Sequence, residues 1–177
     1  ISYIDDKIAA LRTALNRTGM ADDTIIIFTA DHGEMMGERG MWYKQHFFEW
    51  AAHIPLIFHA PKRWSAGRIR QNCALVDIMP TLLDLAVDGK FNDYVGPIDG
   101  QSLVPALHGE TNHMRDIAIS EFAADGSTGP SRMVKRGSMK YMDLEGVDRL
   151  LFDLETDPLE LHNLINDPAY AKIAAEL

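Results

Sequence analysis

The sequence predicts an α/β fold that ends in a small antiparallel unit with a terminal helix. A continuous apolar run over residues 25–28 is typical of a strand that is covered on both faces, as in a parallel α/β sheet. A helical pattern precedes this run, and after residue 116 the chain changes to short strand-like segments separated by turns. The length of 177 residues indicates one domain, or one domain with a small appendage.

The first part of the chain alternates between helical and strand-like segments. Apolar residues at steps of three and four predict a helix from Ile1 to Leu15, with Gly19 as its C-terminal stop. After the strand at 25–28, residues 53–60 predict a second strand that Pro61 closes. Shorter helical segments are predicted at 46–52, 77–86 and 101–109.

The last part of the chain predicts a small antiparallel sheet followed by a helix. Ile117–Phe122 is strand-like, and a turn at Gly137 joins two further short strands into a hairpin. Leu150–Leu154 adds another apolar run, and a helix is expected over Pro168–Leu177. We expect the basic residues of the hairpin to lie on its solvated side: Arg132, Lys135, Arg136 and Lys140.

Composition excludes several classes of protein. A net charge of −9 provides no basic surplus for binding nucleic-acid phosphates. No apolar run approaches the ~20 residues that a membrane-spanning helix needs. Cys73 is the single cysteine, so no internal disulfide forms, and without a neighbouring base it is expected to be a small buried hydrophobe.

The segment Thr24–Lys44 carries the residues with the clearest chemical potential. Asp31 and His32 come directly after the predicted strand, where open α/β sheets place their ligands. A carboxylate and an imidazole are possible metal ligands, although the same pair also occurs as ordinary capping and hydrogen-bonding residues. A divalent cation needs about four or more ligands, so the other ligands must come from elsewhere.

Lys44 lies twelve positions after His32 among aromatic residues. Either its aliphatic stem covers an apolar surface, or its ammonium is a fixed positive charge for a sulfate or phosphate group. Glu121, near the end of a predicted strand, is ambiguous when judged from its neighbours alone.

Four segments together resemble the type I sulfatases of the alkaline-phosphatase-like superfamily. Residues 28–44, FTADHGEMMGERGMWYK, resemble the second signature region of that family. The further matches are LVDIMPTLLDLA (75–86), DGQSLVPALHG (99–109) and LFDLETDPLELHNL (151–164). Within the family the segment GERGMWYK is most similar to choline sulfatases, and phosphonate monoester hydrolases and aryl sulfatases are the next most similar.

The resemblance implies a fold and a set of site residues. The chain would be the C-terminal portion of the sulfatase fold, with α/β core at 1–115 and a small antiparallel α+β subdomain at 116–177. Asp31 and His32 match metal positions for one divalent ion, calcium in most members and manganese or magnesium in some. Lys44 matches the lysine that binds a sulfate oxygen, and Glu121 falls where choline sulfatases place a carboxylate facing the quaternary ammonium.

One motif of the family does not occur in this sequence. Sulfatases use a formylglycine nucleophile made in a Cys/Ser-x-Pro-x-Arg motif, and none of the 177 residues forms it. We therefore expect a fragment that lacks an N-terminal part of the same protein and is inactive alone. The resemblance further implies a small-molecule sulfate ester as substrate, a homo-oligomer, and a cytoplasmic location, with a periplasmic one open. The alternative of another class is a non-catalytic binding or assembly module.

Overall fold

The computed structural model describes residues 1–87, 96–123 and 129–177, which form two compact units. One unit contains residues 1–30 and 55–68, and the other contains 31–54 and 69–177. The mixed α/β composition predicted from the sequence is confirmed. The helices are α1 (Ser2–Thr18), α2 (Glu49–Ala52), α3 (Ile78–Val87), α4 (Val104–Leu107) and α5 (Ala171–Glu176), and the strands are β1 (Ile26–Thr29), β2 (Met35–Met36), β3 (Trp42–Tyr43), β4 (Leu56–His59), β5 (Ile117–Phe122), β6 (Ser131–Arg136), β7 (Met139–Leu144) and β8 (Asp148–Asp153).

The first unit contains α1 and a two-stranded sheet. Strand β1 pairs with β4 in the antiparallel direction, with Ile26 opposite His59. The expected parallel pairing is therefore wrong within the described residues. The expected coverage of both strand faces is wrong there too, since all four residues of β1 are only partly buried. The predicted end of α1 is confirmed: Gly19 is left-handed with φ 74°, and its N–H donates to the carbonyl of Asn16. No helix in the described ranges is long and apolar enough to cross a membrane.

The second unit is built on a four-stranded antiparallel sheet in the order β5-β6-β7-β8. The predicted hairpin is confirmed, since β6 and β7 pair across a turn in which Gly137 has a φ of 56°. Beyond the sheet, a 3-10 turn at Pro168–Tyr170 leads into α5, in agreement with the predicted terminal helix. The boundary predicted near residue 115 stays a prediction.

The core of the second unit joins this sheet to the segment that carries the candidate site. Side chains of the sheet pack against side chains that lie between β2 and α2. The sheet is therefore the base on which residues 31–54 rest. The buried members of this core are Met35, Phe47, Phe48, Ala51, Met133, Met142 and Phe152.

The prediction that the basic residues of the hairpin lie on a solvated side is wrong in part. The side chain of Lys140 has no exposed surface, and that of Lys135 is only 20% exposed, whereas Arg132 is exposed as predicted. In β7 the successive residues Met139 and Lys140 are both buried, although they point to opposite faces of the sheet. Both faces of this strand are covered here, so alternation alone does not identify a solvated side.

Candidate functional site

Asp31 and His32 form a compact pair in the second unit. The His32 N–H donates to Asp31 Oδ1 at 3.0 Å, and Asp31 Oδ2 lies 3.4 Å from His32 Nε2. The side chain of Asp31 is 84% exposed and that of His32 is 35% exposed, so a ligand from solution can reach both. The two side chains therefore turn toward each other, with their donor atoms accessible.

The hydrogen bonds of His32 define its tautomer. Its Nδ1 lies 2.7 Å from the carbonyl oxygen of Gly33. Because a carbonyl oxygen can only accept, Nδ1 carries a proton, and the neutral tautomer that matches this contact has its lone pair on Nε2. Lys44 Nζ lies 3.1 Å from this Nε2 and donates to it. Asp31, His32 and Lys44, which the sequence separates by up to thirteen positions, are thus in one place.

The carboxylate of Asp31 is held in its ionised form. Hydrogen bonds from its own backbone N–H and from the N–H of His32 lower its pKa below the usual value of 3.8. The positive charge of Lys44 acts in the same direction with a smaller effect. Asp31 is therefore a charged oxygen donor at neutral pH.

The conformation of the chain directly before Lys44 is unusual. Tyr43 has a φ of 70°, a left-handed conformation that an aromatic residue adopts only where its surroundings enforce it. Tyr43 and Trp42 are both more than half exposed, and Lys44 is exposed as well. The aromatic neighbours therefore do not bury this lysine. The cation over the buried Phe48 ring is instead the guanidinium of Arg39, at 4.3 Å.

Gly33 connects the Asp31–His32 pair to the helix α2. Its N–H donates to the carbonyl of Ala51 at 2.8 Å, and the N–H of Glu34 donates to that of Trp50 at 2.9 Å. A Cβ atom at position 33 would lie 2.0 Å from the Trp50 carbonyl oxygen. The backbone of α2 thus approaches Gly33 so closely that only glycine fits here.

Asp31 and His32 offer two donor atoms that a metal ion could use. Among the described residues, no group of three or more His, Cys, Asp or Glu side chains is arranged to hold a metal ion. Asp31 Oδ2 and His32 Nε2 lie 3.4 Å apart, close enough to hold one cation between them. A lone pair on Nε2 is what a metal-binding histidine needs.

Glu121 lies apart from this group of residues. Glu121 on β5 pairs with Arg132 on β6 at 3.0 Å, and both side chains are about two-thirds exposed. None of the contacts found in the described residues joins it to Asp31, His32 or Lys44, so its role stays a prediction.

Burial raises the pKa of the Cys73 thiol, and the nearby charge of Asp77 adds to this effect. Cys73 is therefore an unactivated thiol, as expected, but it is only partly buried rather than fully buried.

The sequence did not indicate the charged cluster that supports this site. Lys140 lies between Glu49 and Glu160, with its Nζ 2.9 Å from a carboxylate oxygen of each. These residues are 91 and 20 positions from Lys140 in the sequence. The only local signal was a lysine within the otherwise apolar stretch MKYM, which a single sequence does not distinguish from a surface position.

Comparisons with known proteins identify the family. The family model described as Sulfatase matches residues 1–89, half of the chain. The chain belongs to the sulfatase family. Choline-sulfatase of Rhizobium meliloti strain 1021 is 42% identical over 95% of this chain and 32% of that protein. Arylsulfatase K of Xenopus laevis is 33% identical over 90% of this chain and 31% of that protein.

Solved structures agree on the alkaline-phosphatase-like fold of the sulfatases. The phosphonate monoester hydrolase of Agrobacterium radiobacter matches 99% of this chain and 37% of its own with a TM-score of 0.83 at 34% identity. A structure described as a putative sulfatase from Bacteroides thetaiotaomicron matches 98% of this chain and 38% of its own with a TM-score of 0.81 at 32% identity. The chain spans about a third of the length of the curated relatives it matches, so it holds part of a sulfatase fold.

Proposed function

We propose that this chain forms one side of the active site of a sulfatase that hydrolyses choline sulfate to choline and sulfate. The observation that carries the proposal is that the Asp31 carboxylate and the Lys44 ammonium both lie within 3.4 Å of His32 Nε2. A carboxylate and an imidazole suit a cation, and an ammonium beside them suits an anion. The identity to a choline-sulfatase supports the choice of substrate.

The cation-binding groups in this proposal are Asp31 Oδ2 and His32 Nε2. The ion is calcium, with manganese or magnesium as the alternatives that metal analysis would distinguish. When bound, such an ion supplies stabilisation of the negative charge that develops on the transferring group. The hydrogen bond from Nδ1 to the Gly33 carbonyl keeps the His32 ring in position and in the binding tautomer.

The proposed role of Lys44 is to bind an oxygen of the sulfate. Its ammonium is a compact charge on a flexible stem, and it lies on the exposed side of the pair. The ammonium donates to His32 Nε2 at 3.1 Å, so it would leave this nitrogen if a cation were held there, because both need the same lone pair and their charges repel. It would then be available to pair with a sulfate oxygen.

The nucleophile in this proposal is a formylglycine from outside these 177 residues. The Cys/Ser-x-Pro-x-Arg motif does not occur in the sequence, and burial raises the pKa of Cys73, so this thiol is not a substitute. The isolated chain should therefore not turn over sulfate esters.

The proposed choline-recognising group is Glu121. Choline has no hydrogen-bond donor on its nitrogen, so a carboxylate and aromatic faces are suitable partners. The carboxylate now pairs with Arg132, and the ammonium of choline would have to compete with this guanidinium. The phosphonate monoester hydrolase with a TM-score of 0.83 supports a phosphonate monoester as the alternative substrate.

The test is a substrate comparison with the full-length protein that contains this chain. Its kcat/KM should be measured for choline sulfate, an aryl sulfate and a phosphonate monoester under identical metal conditions. The proposal expects the highest value for choline sulfate. A preference for the phosphonate monoester would establish the alternative, and no hydrolysis of either sulfate ester would refute the sulfatase assignment. The isolated 177-residue chain is the inactive control.

A further inference from the structure

Lys140 is the buried centre of a charged cluster in the second unit. Its Nζ lies 2.9 Å from Glu49 Oε1 and 2.9 Å from Glu160 Oε1. Lys140 has no exposed surface and Glu160 is 1% exposed. A buried ammonium requires charged partners, so removing either carboxylate or the lysine disturbs the remaining groups. The cluster therefore fixes β7 relative to the segments that carry the two glutamates.

The same cluster holds the start of α2. Glu49 is the first residue of this helix, and its N–H donates to Glu160 Oε2 at 2.8 Å. Arg39 donates to the Glu160 carbonyl and lies over the ring of Phe48, the residue before the helix. A helix of four residues does not form by itself, because nucleation is unfavourable and few hydrogen bonds are gained. Its position is consequently determined by these contacts.

The carbonyl groups of α2 in turn hold the peptide of Gly33. Ala51 O accepts from the Gly33 N–H and Trp50 O accepts from the Glu34 N–H, both within 2.9 Å. The carbonyl of Gly33 accepts from His32 Nδ1 at 2.7 Å. A continuous series of ionic and hydrogen-bonded contacts thus runs from Lys140 through α2 to the His32 ring.

We propose that Lys140 is a positioning residue that sets the tautomer and orientation of His32 through Glu49 and α2. The inference rests on the proposed function in that it assigns His32 Nε2 to the cation. If the contact of Lys140 is lost, α2 shifts and the Gly33 carbonyl no longer faces Nδ1. His32 then loses the acceptor that keeps its proton on Nδ1, and its lone pair is no longer directed at the cation.

The test replaces Lys140 by methionine, which has a similar length and no charge. The matched control is Arg149→Met, which removes an exposed cation from β8 of the same sheet whose ion-pair partner is Asp143 rather than a residue of α2. The full-length protein is labelled with ¹⁵N-histidine and stripped of metal, and the His32 signals are assigned with His32→Gln. Spectra are recorded at about pH 8.5, where an ordinary imidazole is neutral.

We expect wild type and Arg149→Met to have His32 protonated on Nδ1, and Lys140→Met to shift the His32 proton toward Nε2. Binding of Mn²⁺ alone, measured by electron paramagnetic resonance, should weaken about tenfold or more in Lys140→Met only. If Lys140→Met does not fold, the charge-balanced variant Lys140→Met/Glu160→Gln is measured instead, with the same expected result.

Two results would overturn the inference: a wild-type His32 protonated on Nε2, or an unchanged Nδ1-protonated ring in the folded Lys140 variant. The sulfate-ester assay of wild type separates this inference from the proposed function. An inactive wild-type protein whose His32 responds to the Lys140 substitution would refute the function and retain the positioning role. An active wild-type protein whose His32 does not respond would retain the proposed function and refute the positioning role.

Discussion

Replacing Gly33 by alanine should disable the site by displacing its backbone. The new Cβ would lie 2.0 Å from the Trp50 carbonyl oxygen and 3.0 Å from its carbon, and neither backbone atom can rotate away. The backbone segments at Gly33 and Trp50 must separate by more than about 1 Å to reach an ordinary contact distance. This breaks the hydrogen bonds from Gly33 to Ala51 and from Glu34 to Trp50, which contribute about 2 kcal/mol together.

The effect on catalysis follows from the same displacement. Gly33 accepts from His32 Nδ1, so the ring moves with the Gly33 peptide. A misplacement of about 1 Å costs about 100-fold in rate, and we expect kcat/KM for a sulfate ester to fall by that factor in the full-length protein. Gly67→Ala is the control, because a Cβ at that position meets nothing within 4 Å. Wild-type kcat/KM and stability in Gly33→Ala would refute the claim that this packing positions His32.

Three further changes test separate parts of the site. Lys44→Ala should lower kcat/KM about 100-fold for choline sulfate and an aryl sulfate alike, since its partner is the shared sulfate; a loss confined to one ester would contradict this role. Glu121→Gln should lower kcat/KM about fivefold for choline sulfate only, and unchanged choline sulfate turnover would remove Glu121 from the substrate site. Burial would raise the pKa of Glu49, but the hydrogen bond with His53 and the charge of Lys140 lower it from 4.5 to about 2. Because the folded-state pKa of Glu49 is depressed, its contribution of about 3 kcal/mol to the free energy of unfolding is present above pH 4.5 and is lost as the pH falls toward 2. Denaturant midpoints measured against pH should therefore fall less steeply in acid for Glu49→Gln than for wild type. Identical pH profiles for the two proteins would be inconsistent with the pairing.

Local patterns in the sequence predicted much of the fold. The helical periodicity and Gly19 located the first helix and its end, and Gly137 located the turn between β6 and β7. These features depend on neighbouring residues, which a single sequence contains. The direction of the β1–β4 pairing depends on a partner about thirty residues away, and the apolar run, which is typical of a parallel sheet, did not indicate it.

The candidate residues of the site could be proposed from the sequence, but the contacts that support them could not. Asp31 and His32 stood out because they follow a recognisable strand and Lys44 because it lies among aromatic residues. The family resemblance added a specific role for each of them and for Glu121. The support of the site was not predictable, since Lys140 contacts Glu49 across 91 positions of sequence. A buried lysine is uncommon, so the reasonable expectation from the sequence was an exposed one. Its burial is a consequence of the tertiary packing that covers both faces of β7.

Calorimetric titration of Ca²⁺ into the metal-stripped full-length protein tests the central claim most directly. The claim is that Asp31 and His32 bind the cation while Lys44 binds the anion. Asp31→Asn and His32→Ala each remove a ligand, so each should weaken Ca²⁺ binding about tenfold or more. Lys44→Ala should bind Ca²⁺ as tightly as wild type or more tightly, because a competing positive charge 3.1 Å from Nε2 is removed. Wild-type Ca²⁺ affinity in both Asp31→Asn and His32→Ala would contradict the account.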